Sequence, residues 1–191
     1  MNLTKIALSS AIMLAPLAAY AGGEVDFAIS NNSVRLEHAA VMVGTGAYLS
    51  TGVLYSEDAG NWAVTAGFNA VDATMANKEL IGGIGFKGMM LSTSYADLSF
   101  GIGVGGFLRW QPDFMNGLGV EGQGYYAPSI LSFGDLVDAY EGVARVTYKV
   151  LPQAKAFIGY HIMAGQYDLE VGANETENID STFHIGFRIV Y

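Results

Sequence analysis

The chain contains no cysteine, so neither a disulfide nor a thiolate metal site can hold it together. It has few basic residues: 9 Lys and Arg stand against 18 Asp and Glu, for a formal charge of −9. Phosphate binding requires a basic face, and that balance excludes nucleic acid as a partner. Charged residues of both signs make up only 14% of the chain, about half the usual share. Proline occurs four times. After the first 21 residues no apolar run approaches the ~18 needed for a transmembrane helix. What is abundant is hydrophobic residues at 51%, 25 glycines and 12% aromatics. A chain this apolar either buries its hydrophobes in a core or presents them to lipid. Glycine is poor in helices, and the aromatics fall in alternating runs. The class these features favour is all-β.

The first 21 residues have the form of a secretory signal peptide. Lys5 supplies the positive charge, Ile6 to Leu17 is mostly apolar, and Ala19-Tyr20-Ala21 is an A-x-A cleavage site. The run is too short to span a bilayer as a helix, and Pro16 interrupts it. Residues 22–191 then form a single domain of roughly 170 residues.

Residues 181–191 carry the clearest pattern. Phe183, Ile185, Phe187, Ile189 and Tyr191 alternate with Thr182, His184, Gly186, Arg188 and Val190. A period of two is a strand with one apolar and one small or polar face. A strand closing on an aromatic resembles the C-terminal signature that the assembly machinery of bacterial outer-membrane barrels reads. Those five residues are the candidate assembly signal. The competing reading is an edge strand of a soluble sandwich.

Similar alternation marks 25–29, 34–43, 49–55, 62–70, 80–91, 98–110, 118–126, 140–150 and 156–162. With the last strand that makes ten, an even number as bacterial barrels require. Most match a tilted membrane-crossing strand of about 9–11 residues. The first two look short, and eight strands remain if they are not in the wall. The expectation is a transmembrane antiparallel up-and-down barrel of ten strands, with eight as the alternative. With Tyr191 in the periplasm, the loops at 56–61, 92–97, 128–138 and 165–180 face outward, and those at 71–79, 111–117 and 151–153 face the periplasm. The aromatics then fall into two girdles. Tyr55, Trp62, Tyr126 and Tyr140 lie near the outer end, and Trp110, Tyr148 and Tyr191 near the inner end. The two longest outer loops are acidic, through Asp135, Asp138, Asp168, Glu170, Glu175, Glu177 and Asp180.

The face opposite the apolar one carries charges of both signs. Arg109, Glu121, Glu141, Arg145, Lys149, His161, His184 and Arg188 are the candidate lumen network, with Arg35, Glu37, Lys87 and Lys155 on the same face. Charges in a narrow interior must pair or stay hydrated.

Several motifs lose their usual meaning here. Gly83-x-Gly85-x-x-Gly88 and Gly101-x-Gly103-x-x-Gly106 fit a dinucleotide pattern. That chemistry needs a strand-to-helix turn, and these glycines sit inside strands. His161 and His184 have no third metal ligand at a standard spacing. No spacing links either to Ser129, Ser132 or Asp135 as a nucleophile system. No metal or cofactor is expected, and no catalytic residue is assigned.

Tyr125-Tyr126-Ala127-Pro128-Ser129-Ile130-Leu131-Ser132-Phe133 resembles a motif of the YfaZ family of small outer-membrane proteins. So does Ala144-Arg145-Val146-Thr147-Tyr148-Lys149-Val150-Leu151-Pro152-Gln153-Ala154, with Phe157-Ile158-Gly159-Tyr160-His161 following. His161 stands where that pattern has an arginine. The resemblance implies an outer-membrane barrel and no established activity. The expected role is structural or surface-interactive, with a largely closed polar lumen. A narrow conduit for ions or small polar solutes is the alternative, and a membrane-embedded lipid hydrolase or acyltransferase a weaker one. The expected surroundings are outer-membrane lipid and, during biogenesis, the barrel assembly machinery, with the protein a monomer.

Overall fold

The computed structural model describes residues 22–42, 46–71, 79–168 and 174–191. The signal-peptide segment, most of the 71–79 connection and Glu170 lie outside them. Eleven strands follow the alternating stretches: β1 (Gly23–Ile29), β2 (Ser33–Met42), β3 (Ala47–Ser56), β4 (Trp62–Val71), β5 (Leu80–Ser92), β6 (Ser99–Trp110), β7 (Leu118–Ala127), β8 (Ser132–Phe133), β9 (Leu136–Leu151), β10 (Ala154–Tyr167) and β11 (Glu175–Val190). All pairings are antiparallel, each long strand pairs with the next one along the chain, and β1 pairs with β11. The sheet is therefore a closed up-and-down barrel of ten wall strands with no free edge. β1 and β2 are part of the wall, which rules out the eight-strand alternative.

The ring closes with a stagger. From Gly23, successive partners are Ala40, Leu49, Phe68, Phe86, Val104, Tyr126, Tyr140, Ala164 and Asn178. Gly23 itself exchanges two backbone hydrogen bonds of 2.9 Å with Tyr191. One circuit thus returns to β11 about a dozen residues from its start, the shear that tilts strands and rounds a barrel. The wall also bends where side chains are missing. A Cβ on Gly105 would lie 1.9 Å from the Gly124 carbonyl oxygen, and one on Gly186 would lie 2.2 Å from that of Phe27.

Several strands run beyond the expected loop limits. β9 begins at Leu136, β10 continues to Tyr167, and β11 begins at Glu175. Glu175, Glu177 and Asp180 are therefore strand residues, and Asp180 is buried. The short β8 was not visible as a strand. Pro128 lacks the N–H needed to continue β7, and the chain makes a 3-10 turn over Ser129–Leu131 before β8 pairs with Phe100 and Gly101 of β6.

The hydrophobic layering is inverted relative to a water-soluble protein. Ile84 is 76% exposed and Phe183 75%, while Lys87 and Arg188 are each 1% exposed. Along β11, Phe183, Ile185, Phe187 and Ile189 face out, whereas His184 and Arg188 face in. The interior is layered too. At the rim of the 57–61, 93–98 and 128–135 connections it is apolar, with Leu54, Met89, Leu91, Leu136, Met163, Tyr167 and Ile179 packed together. Towards the Tyr191 rim it becomes ionic, with Tyr48, Phe107 and Ala39 as a second apolar patch.

The candidate site: an ion-pair network inside the barrel

Alternation places each charge. On β11, Arg188 lies between the outward Phe187 and Ile189 and therefore points inward. Its guanidinium forks onto Asp26 of β1, with Nε–Oδ1 at 2.6 Å and Nη2–Oδ2 at 2.8 Å. The remaining Nη1 donates to Glu121 Oε1 of β7 at 2.9 Å. Arg145 of β9 bridges the same two carboxylates, with Nε donating to Glu121 Oε2 at 2.7 Å and Nη1 lying 2.8 Å from Asp26 Oδ2. Arg109 of β6 extends the cluster, pairing with Glu24 at 2.6 Å and donating to the Tyr48 hydroxyl at 2.7 Å. Three guanidiniums thus meet three carboxylates drawn from five strands. The planar fork of arginine suits such bidentate sharing.

A second cluster lies nearer the apolar layer. Lys87 donates to Glu141 at 2.8 Å and sits 4.8 Å from the centre of the Tyr125 ring. Gln123 also donates to Glu141, at 3.2 Å. His161 places Nδ1 at 2.5 Å from Asp180, and its Nε2 faces Glu141 at 3.5 Å. Thr182 donates to the other Asp180 oxygen at 2.8 Å.

Of the eight charges and histidines expected in the lumen, Arg109, Glu121, Arg145 and Arg188 share the first cluster, and Glu141 and His161 the second. His184 is buried against the edge of the Phe157 ring at 5.8 Å and has no ion pair among the described residues. Lys149 departs from the expectation: it is exposed at the Tyr191 rim and makes no ion pair among the described residues. β9 reaches the mouth of the barrel there, which leaves the Lys149 side chain exposed. Glu24, Asp26 and Asp180 were missed as network members. Asp26 could have been found, since it alternates with the outward Val25 and Phe27. Tyr48 and the apolar layer carried no sequence signal.

The aromatic residues of the expected girdles lie towards the two ends of the strands. Tyr55 pairs with Trp62 and Tyr126 with Tyr140 near the loop rim. Trp110 packs edge-on to Phe114 at 6.3 Å near the other rim, where Tyr148 and Tyr191 also face out. The Tyr191 hydroxyl lies 2.7 Å from His38 Nε2.

The His161 nitrogen opposite Asp180 faces a carboxylate, not a hydroxyl. Ser132 donates to the Pro128 carbonyl at 3.1 Å, within the turn that joins β7 to β8.

A family model described as YfaZ precursor matches residues 3–187. The chain belongs to the YfaZ family. No curated protein matches the chain. Among solved structures it is similar to a KdgM porin, with 13% identity, a TM-score of 0.44, and coverage of 89% of this chain and 99% of that one. The two YfaZ-like motifs now have structural roles. In the first, Tyr125 points inward and donates to Asn69 at 2.8 Å, Tyr126 faces out, Ala127 is buried, and Pro128 to Phe133 forms the turn and β8. The second carries Arg145 into the network and turns the YfaZ chain from β9 into β10.

Proposed function

We propose that this YfaZ-family barrel sits in the outer membrane of a Gram-negative bacterium as a sealed, monomeric element that acts at its outer surface. The observation that carries this reading is the filling of the interior. Two cavities among the network residues hold about 10 Å³ each, roughly one water's worth of space. An apolar layer lies above them at the loop rim. The inverted layering supports the membrane location, because outward-facing side chains such as Ile84 and Phe183 would otherwise meet water. Contact with other molecules then falls to the acidic outer rim, where Asp135 and Asp168 lie in the connections and Asp138 near the start of β9. Cleavage after Ala21 and handling of the β11 aromatics by the assembly machinery belong to the same reading.

In a planar bilayer the refolded protein should be electrically silent. Reproducible discrete steps would favour the conduit reading instead. Glu121 and Arg145 would then be the first substitutions to examine, since Glu121 reaches Arg188 of β11 and Arg145 reaches Asp26 of β1 through the interior.

A further inference from the structure

One buried cation stands outside both clusters. Arg35 of β2 is 7% exposed, yet Nη1 and Nη2 have no hydrogen-bond partner among the described residues. Its ion-pair partner, Glu37, lies at 3.7 Å, beyond hydrogen-bonding reach. Beside it, His184 is 4% exposed and neither ring nitrogen is partnered. Both side chains line one partly open cavity of about 10 Å³ between β1, β2, β10 and β11, directly beneath the turn at 30–33. The carboxylate lining that cavity is Asp180, and both its oxygens are taken, by His161 and Thr182.

The unmet groups are thus mainly N–H donors around a one-atom space, beside a buried positive charge. Such an arrangement calls for a small acceptor, and a guanidinium whose paired carboxylate accepts none of its hydrogen bonds favours one that carries negative charge. Asp26 and Glu121, the carboxylates of the first cluster, are already paired with Arg145 and Arg188. We propose that this cavity binds a single halide-sized monoanion between Arg35 and His184. The turn at 30–33 is short, which makes it the nearest route between the site and bulk solvent.

Bromide is the probe. Crystals of the detergent-solubilised protein soaked in sodium bromide should give an anomalous peak in contact with the Arg35 guanidinium and His184. The half-life of the compact form at a fixed denaturing temperature, read on unboiled gels, should be about tenfold longer in bromide than in gluconate at equal ionic strength, as site occupancy requires. Arg35→Met should remove that difference. His184→Leu, which keeps the charge of Arg35 in place, should reduce it and serves if Arg35→Met does not fold. A map without the peak, or equal wild-type half-lives in the two salts, overturns the proposal and leaves the cavity to water.

Discussion

Replacing Arg188 by Met should cost about 3–5 kcal/mol of stability, the usual penalty for breaking a buried ion pair from one side. The guanidinium makes three hydrogen bonds of 2.6–2.9 Å to Asp26 and Glu121. At 1% exposure, the guanidinium is out of reach of bulk solvent. Arg145 already serves both carboxylates and cannot neutralise them alone. Urea unfolding of the protein in lipid vesicles would measure the loss. Arg188→Lys should fall between, because a point charge cannot fork onto Asp26. Adding Asp26→Asn to Arg188→Met should recover part of the loss, since it removes one stranded charge. If Arg188→Met unfolds within about 1 kcal/mol of wild type, the network does not hold the barrel together.

The second large effect lies on the outside. Ile158 faces out from β10 beside Val146 of β9 and Ile185 of β11, all three exposed. Ile158→Arg should cost about 2–4 kcal/mol in vesicles if that surface faces the middle of the bilayer. Leu151→Arg, at the Tyr191 rim and 60% exposed, should cost about 1 kcal/mol or less. The gradient is what discriminates. In water, an arginine at either exposed site would change stability by no more than about 0.5 kcal/mol. Equal, small effects at both positions would place this surface in water.

Much of the barrel could be read from the sequence because a membrane wall enforces a period of two. β11 shows this best: every second residue from Phe183 to Ile189 faces out, as the alternation requires. The reading weakened near the loop rim, where the physics changes. There the interior itself is apolar, so Leu136, Met163, Tyr167 and Ile179 face inward and the contrast between faces disappears. Glu175 to Asp180 lack outward apolar residues, so a real strand end looked like loop. The ion pairs were legible as a set of charges on one face but not as partners. Arg188 and Asp26 are 162 residues apart in sequence. Their meeting depends on the ring closing between β1 and β11, and no local pattern records that register. His184 shares the inward face with Arg188, and no local pattern marks it as lacking a charged partner.

The measurement that tests the account most directly uses the absence of cysteine. Single cysteines placed in turn from Phe183 to Ile189 on β11 would each carry a small fluorophore in refolded vesicles, with brominated lipid as the quencher. The account predicts a period of two: strong quenching at 183, 185, 187 and 189, and weak quenching at 184, 186 and 188. Uniformly weak quenching along the strand would contradict it, because the apolar face of the barrel would then not be in lipid.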